Sequence, residues 1–246
     1  MRKLTLEEIH AELRAQLSDI VRVCDRHQID YSLMCGSLLG AVRHQGIIPW
    51  DDDVDLLMTR EEFQRFREVY PRECSAELEL TYLDTWTPRV MARDPEKALV
   101  FIDIFILDGV PQSKLARRAW FLHLHLLQGM MKHDVDYSRF SMKQKILLMA
   151  THVLGLPFSM VWKAKRYERV SMRYPGSGDV CMSNGAFELM MHIWQTDLFR
   201  EKKRVPFEGM QCLIPVRYDE ILRVLYGDDY MTPPPEDKRQ TRHLDV

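Results

Sequence analysis

Leu6, Ile9, Leu13, Leu17, Ile20, Val21 and Cys24 recur at steps of three and four up to Arg26-His27, with Thr5 and Glu8 spaced as a capping box ahead of them. That period predicts an amphipathic helix packed beside a sheet. The pattern then shortens. Tyr31-Ser32-Leu33-Met34-Cys35 is a brief, mostly apolar run that reads as a strand; Gly36-Ser37 ends it, and Leu38 to Val42 return to helical spacing. Val54, Leu56, Leu57 and Met58 form a second strand. Thr59 and Glu62 repeat the capping box, and Phe63, Phe66, Val69 and Tyr70 mark the buried side of a helix expected to stop at Pro71. Residues 78–83 and 88–92 offer further strands. Leu99 to Leu107 is an apolar run interrupted once, at Asp103, and reads as a buried strand, while Asp108 before Gly109 reads as a turn residue.

From about residue 113 the spacing turns helical and rich in Leu and Met. One helix is expected over Lys114 to Leu127 and another from Lys145 through Trp162, interrupted by Gly155 and Pro157. The second stretch is too short and too broken for a membrane span. It reads either as a buried helical subdomain or as an interfacial helix pair with basic flanks that makes peripheral membrane contact. A short helix within 216–231 ends at Gly227, and Pro233-Pro234-Pro235 forces an extended path. Helices alternating with strands predict an α/β (α+β) fold, a mixed β-sheet flanked by helices with a helical insertion or subdomain. The expected division is a catalytic core at 1–112, a helical subdomain at 113–175, and a C-terminal segment at 176–246 that completes the active-site side.

Composition narrows the function. Thirty-four basic residues against thirty-six acidic ones give a net charge of −2, which offers no broad basic field for nucleic acid. The five cysteines are odd in number and scattered, without a Cys-x-x-Cys pair, which argues for a reducing compartment and against a cysteine-rich zinc site. The first residues turn polar too soon for a secretory signal. A cytoplasmic location, extending to the inner face of the membrane, is the expectation.

The chemistry concentrates between residues 31 and 58. Asp51, Asp52, Asp53 and Asp55 place four acids in five positions. On a strand, residues two apart share a face, so Asp51, Asp53 and Asp55 point one way while Val54, Leu56 and Met58 enter the core. Carboxylates this crowded raise one another's pKa, and oxygen ligands of this kind suit Mg²⁺ or Mn²⁺; a solvated acidic turn is the alternative. A strand that ends in Gly36-Ser37 at a helix start presents backbone N–H groups, a hydroxyl and the positive end of the helix dipole, which is a site for phosphate. Asp103, inside its apolar run, is costly unless it is paired or bound to metal. It is expected to reach Asp53 and Asp55 from a neighbouring strand, with a bond to an arginine or a helix N-terminus as the alternative. His123, His125, His133 and His152 read as packing or surface residues, and Asp134 and Asp136 as loop.

Gly-Ser followed by Asp-x-Asp is similar to the arrangement of the nucleotidyltransferase superfamily. The whole stretch from Gly36 to Asp55 closely resembles the signature of the LicD family of phosphocholine transferases, related to the fukutin-type ribitol-phosphate transferases. Asp103-Ile104-Phe105, Leu107-Asp108, Phe207-Glu208-Gly209, Ile214-Pro215, Tyr226 to Met231, Pro233-Pro234, Arg239 and His243 are similar to that family's later blocks, in order. The resemblance implies a nucleotidyltransferase-like sheet and a phosphotransferase whose donor is a CDP-alcohol, CDP-choline first, attacked at the phosphate nearest choline with CMP leaving. The implied acceptor is a hydroxyl of a cell-surface glycan, such as teichoic acid or lipopolysaccharide, or its lipid-linked precursor.

Phosphoryl transfer asks a protein chiefly for positioning and charge neutralisation. Asp53, Asp55 and Asp103 are therefore the expected catalytic residues, with Asp51, Asp53, Asp55 and Asp103 as metal ligands and Asp103 as base for the incoming hydroxyl or shared ligand. Gly36 and Ser37 are assigned to phosphate oxygens, Arg43 and His44 to phosphate or base. A cage for a quaternary ammonium has Tyr31, Trp50, Trp86, Trp194 and Tyr226 to draw on, and Arg239, Arg242 and His243 either return to the site, as the resemblance implies, or form a solvated tail. Two other readings share these residues: an NTP-using nucleotidyltransferase that acts on a sugar phosphate or small molecule and expels pyrophosphate, and a catalytically silent binding module.

Overall fold

Both halves of the first capping box form. Glu8 N–H donates to Thr5 Oγ1 at 3.3 Å and Thr5 N–H to Glu8 Oε2 at 2.9 Å, and α1 (Leu6–His27) follows in a computed structural model that describes residues 4–82, 85–95, 97–132, 141–239 and 241. Its buried face is Ile9, Leu13, Gln16, Leu17, Ile20, Val23 and Cys24. Gln16 is there because its Nε2 donates to the Val100 carbonyl at 2.9 Å, tying the helix to the approach of a central strand.

The chain packs as two units. The first comprises Met1–Leu80, Arg89–Ile106 and Thr196–Val246. After α1 it holds β1 (Ser32–Leu33), α2 (Cys35–His44), β2 (Val54–Thr59), α3 (Arg60–Glu73), β3 (Leu78–Thr81), β4 (Arg89–Ala92) and most of β5 (Phe101–Gly109). Strand order is β1-β2-β5-β4-β3, with β1 antiparallel to β2 and β4 antiparallel to β5. In β2, Val54 to Met58 are all buried, so both faces of this central strand are covered. The alternation expected from Asp51 onward begins only at Val54, because the three preceding aspartates form an irregular turn.

Two helix ends differ from expectation for local reasons. Thr59 caps α3 by accepting Glu62 N–H at 3.3 Å, but the Glu62 carboxylate accepts Asp30 N–H and Arg65 instead of closing the box. Pro71 lies inside α3, which ends at Glu73. A proline in the last turn removes one backbone bond without having to continue a helix beyond it.

Further along the unit, in chain order after the second unit's elements named below, come a hairpin, β8 (Lys202–Phe207) with β9 (Met210–Pro215), and α8 (Tyr218–Tyr226). Glu208 and Gly209 make the hairpin turn at φ +51° and +76°.

The second unit comprises Thr81–Pro88 and Leu107–Gln195, into which β5 continues. It holds α4 (Lys114–Met131), α5 (Met142–Gly155), α6 (Met160–Ser171), β6 (Asp179–Met182), α7 (Phe187–Met190) and β7 (Trp194–Gln195). The end of β5 pairs antiparallel with β6, and β6 with β7. Trp120, Phe121, Leu124 and Leu127 of α4 pack with Ala164, Tyr167 and Val170 of α6. Three buried polar groups are answered: Trp120 Nε1 donates to Val170 O, Tyr167 Oη to Ser183 O, and Lys163 Nζ to Met130 O. The expected long helix after Lys145 is two helices meeting at 110°. Of α5, only Thr151 and Gly155 are buried among its described side chains.

The mixed α/β architecture with flanking helices stands as expected. The packing units cut across the expected segments, since residues 176–195 go with the helices and 196–246 with the strands of the first unit. Asp108 is a correction: it lies within β5, 3% exposed, and its carboxylate accepts the Ser183 hydroxyl. An Asp-Gly pair signals a turn only where no tertiary partner claims the carboxylate. All five cysteines are free. His133, Asp134, Asp136, Arg242 and His243 lie outside the described residues.

Ser183→Ala removes a donor from this buried carboxylate and is expected to lower unfolding free energy by about 1.5–3 kcal/mol, read by urea denaturation. A loss under about 0.5 kcal/mol, the range of a neutral surface change, would show that Ser183 does not support Asp108.

Candidate active site

The end of β1 lies beside the start of β2. Ser32 pairs with Leu57 and Leu33 with Leu56, and Met34 N–H donates to Asp55 O at 3.0 Å. The chain then turns sharply at Cys35, a non-glycine residue at φ +49°, directly into α2. This left-handed position costs about 1–3 kcal/mol, the kind of strain that a well-packed surround sustains at functional sites. It sets the first turn of α2 against Asp55.

Four contacts fix the aspartates. Asp55 N–H donates to Ser37 Oγ at 2.9 Å, and the Cys35 thiol donates to the Asp55 carboxylate. A Cβ on Gly36 would stand 2.6 Å from Asp51 Oδ2, so only glycine at 36 lets that carboxylate approach the start of α2. His10 of α1 holds the Asp51 carbonyl at 2.7 Å through Nε2, which is therefore the protonated nitrogen. Asp51, Asp52 and Asp53 each offer an oxygen, all within 4.8 Å of one another.

A cavity of about 460 Å³ opens at this point. Its lining includes Asp51, Asp53 and Asp55 with Cys35 and Gly36, and also Arg43, Trp50, Tyr226, Tyr230 and Pro233 to Pro235. Burial, then Asp53, Asp103 and Asp51, push the Asp55 carboxyl well above the ordinary carboxylate range, with the Cys35 thiol pulling slightly back. Burial and the same aspartates push the Cys35 thiol up, so it remains a donor. A converging set of hard oxygen donors whose ionised form is disfavoured without a counter-charge fits a divalent cation of the Mg²⁺ or Mn²⁺ type.

The remaining expected residues fall in distinct places. Asp103 on β5 stands opposite Arg89 on β4, which donates through Nε to its Oδ1 at 2.6 Å while the guanidinium lies 4.0 Å above the Phe101 ring. The Asp103 side chain is 21% exposed, does not line the cavity, and acts on the charge of Asp55. Ser37 is buried, its hydroxyl engaged by Asp55. Arg43 lines the cavity and donates to Tyr230 O at 2.9 Å. His44 stands edge-on to Trp50 outside the lining, and burial and Arg43 push its pKa down, keeping it neutral near pH 7. Arg239 lies 4.8 Å over the Trp50 ring. Of the five aromatic residues considered for a cage, Trp50 and Tyr226 line the cavity, Tyr31 is buried, and Trp86 and Trp194 belong to the second unit.

Glu208 was not assigned a role from sequence. At the tip of the β8–β9 hairpin it accepts Ile47 N–H at 2.9 Å and pairs with Arg14 at 3.2 Å. A Cβ on Gly46 would lie 2.4 Å from its Oε1. The hairpin thus clamps the loop that leads into the aspartates. Phe-Glu-Gly resembled a family block, and that was the only signal available. Asp229, another cavity residue, and Asp52, 3% exposed, were equally unassigned.

The nucleotidyltransferase-domain model of the LicD/FKTN/FKRP family matches residues 28–105. The lipopolysaccharide cholinephosphotransferase LicD of Haemophilus influenzae is 30% identical over 269 aligned positions, covering 99% of this chain and 98% of that protein. Uncharacterized proteins of Rickettsia typhi and Rickettsia prowazekii are 41% and 39% identical over 56 residues, 23% of this chain and 18% and 21% of theirs.

Because the Asp55 pKa is raised in the folded chain, its stabilising contribution is full below the ordinary value of 3.8 and is lost as pH rises through the folded value. In chelator-treated protein the melting midpoint should therefore fall between about pH 5 and about pH 8 by more in wild type than in Asp55→Asn, at about 2–4 °C per kcal/mol for a chain of this size. Mg²⁺ or Mn²⁺ should restore wild type and leave Asp55→Asn unmoved. Gly36→Ala, although alanine favours helix by about 1 kcal/mol, should lose most of the metal response. Scanning fluorimetry decides this, and a wild type indifferent to metal at both pH values would sink the cation site.

Proposed function

The chain belongs to the LicD family and is a phosphotransferase, and on that premise we propose that it transfers phosphocholine from CDP-choline to a hydroxyl of lipopolysaccharide or its lipid-linked precursor, releasing CMP. The observation that carries the reading is the cavity itself, whose lining holds three aspartates together with an arginine and aromatic residues. A diphosphate ester needs a counter-charge for its oxygens and a separate wall for its organic ends, and both are within one cavity.

Asp51, Asp53 and Asp55 would hold Mg²⁺ or Mn²⁺, which neutralises diphosphate charge and eases departure of CMP. Arg43, in the same lining and held by Tyr230 O, adds a fixed positive charge. Gly36 keeps the first turn of α2 open to Asp51, and Ser37 acts through the Asp55 backbone by holding the start of β2. The acceptor oxygen attacks the phosphorus bearing choline, the bond from that phosphorus to the bridging oxygen breaks, and the hydroxyl proton passes to a carboxylate. We assign that proton to Asp103, whose charge acts on Asp55 and whose Oδ1 is held by Arg89; because Asp103 does not line the cavity, the proton reaches it through one bridging water. Trp50 and Tyr226 are the aromatic faces within reach of a quaternary ammonium.

The deciding experiment is a CMP-release assay with CDP-choline, other CDP-alcohols and NTPs, run beside thermal shift. Asp53→Asn and Asp55→Asn should lose turnover and metal response together. Asp103→Asn should keep the metal response while kcat falls about 10²–10⁴-fold, the range of a general base. Arg43→Ala should weaken transition-state stabilisation by about 1.5–3 kcal/mol, the range of a bond to a charged group, with the same metal response. Pyrophosphate released from NTPs, with no CMP from any CDP-alcohol, would replace this reaction with nucleotidyl transfer.

A further inference from the structure

The second unit carries an apolar face that its own core does not use. Among the described residues of α5 and the turn after it, Ile146, Leu147, Met149, Val153, Leu154 and Leu156 are each about three-fifths exposed, from 58% to 65%. They face outward because the helix meets α4 through small residues. A Cβ on Gly129 would stand 2.4 Å from Thr151 Oγ1, and one on Gly155 would stand 2.8 Å from Met130 O. The bend between α5 and α6 exposes Leu156-Pro157-Phe158, and Phe158 stacks on the half-exposed Trp162 with centroids 4.2 Å apart.

Charge identifies the occupant. Residues 113–132 and 141–167 contain nine lysines and arginines and no aspartate or glutamate. Lys114, Arg118 and Lys165 are exposed, Lys145 partly so. A second copy meeting this face across a two-fold axis would set these like charges near one another, with Asp134, Asp136 and Glu168 the nearest acids in sequence. No single helix among the described residues is long and apolar enough to cross a membrane; the α5–α6 pair bends by 110°, and the inner face of α6 is pinned through Lys163 to Met130 O and through Tyr167 to Ser183 O, which favours lying on a surface over crossing it. An anionic lipid surface answers both features, taking apolar side chains at the acyl boundary, tryptophan at the headgroups and basic side chains against phosphate.

We infer that the outward face of α5 and the first turn of α6 is a docking surface for an anionic phospholipid bilayer. It stands on exposure and charge alone and does not require the proposed reaction.

The test is sedimentation of the full chain with vesicles of phosphatidylcholine alone or mixed with phosphatidylglycerol. Wild type should pellet with the anionic vesicles, less at high salt, with a blue shift of tryptophan emission that Trp162→Phe removes. Combined Ile146→Glu, Leu147→Glu and Leu154→Glu should cut partitioning by about tenfold or more with unchanged circular dichroism, since all three side chains are already in water. Lys145→Glu with Lys165→Glu should remove only the preference for anionic lipid. Partitioning that survives the triple substitution, or no partitioning at all, overturns the inference. So does a concentration-dependent dimer that the triple substitution abolishes while wild type ignores vesicles, which would make the face a contact between copies.

Discussion

Mutual repulsion among carboxylates at the start of β2 is the constraint around which the first unit is built. Asp55 is 8% exposed at the edge of the cavity; burial raises its pKa most, and Asp53, Asp103 and Asp51 raise it further. Left to relax, such a group would move apart or bind protons. The fold opposes separation from several directions: Met34 and Ser37 hold the Asp55 backbone, His10 holds the Asp51 carbonyl, and Glu208 holds the loop at Ile47. These bonds come from α1, the end of β1, α2 and the β8–β9 hairpin, so elements distant in sequence converge on one short turn. A neutral site would not need so much scaffolding. A site that gathers carboxylates does.

The same logic explains residues that look replaceable by type. Ser37 could pass for a phosphate ligand and Cys35 for a nucleophile, yet both serve Asp55, one through its backbone N–H and the other through its carboxylate. Gly36 matters for what it lacks, since its missing Cβ is where the Asp51 carboxylate reaches the helix start. The positive half of the cavity is arranged with equal economy. Arg43 is held by Tyr230 O, so the wall that would face a diphosphate is tied to the closing segment after α8.

What was legible in the sequence followed the range of the interaction. The strands at 54–59 and 101–109, the capped helices and the two-apart aspartates all have local patterns, and Asp51, Asp53 and Asp55 do meet at one cavity. Partners distant in sequence leave no such trace. Glu208 meets Ile47 across 161 positions, and nothing near either residue announces the other. Asp108 was misread because Asp-Gly is a strong turn signal and its competitor, Ser183, lies 75 positions away. Pro71 was misread because a rule for helix interiors was applied to a last turn. Asp103 took the alternative, an arginine partner, because a carboxylate inside an apolar strand has few ways to be satisfied; it does not line the cavity, and only its charge acts on Asp55.

The near-neutral total charge conceals a partition that matters more than the sum. Acid gathers where the first unit turns into β2, while the helices of the second unit carry nine basic residues over two stretches that contain no acid. Averaged over the chain, the two cancel to −2, the value that argued against nucleic acid. Net charge speaks only to long-range fields, and screening in salt reduces those to about 8–10 Å. At the scale of a cavity or one helix face the local sign decides what binds. A cavity lined by aspartates attracts positive charge, and an apolar face with basic flanks is compatible with a surface of phosphates. One composition can therefore serve two opposite kinds of recognition, provided the fold keeps the acids on one turn and the bases on separate helices.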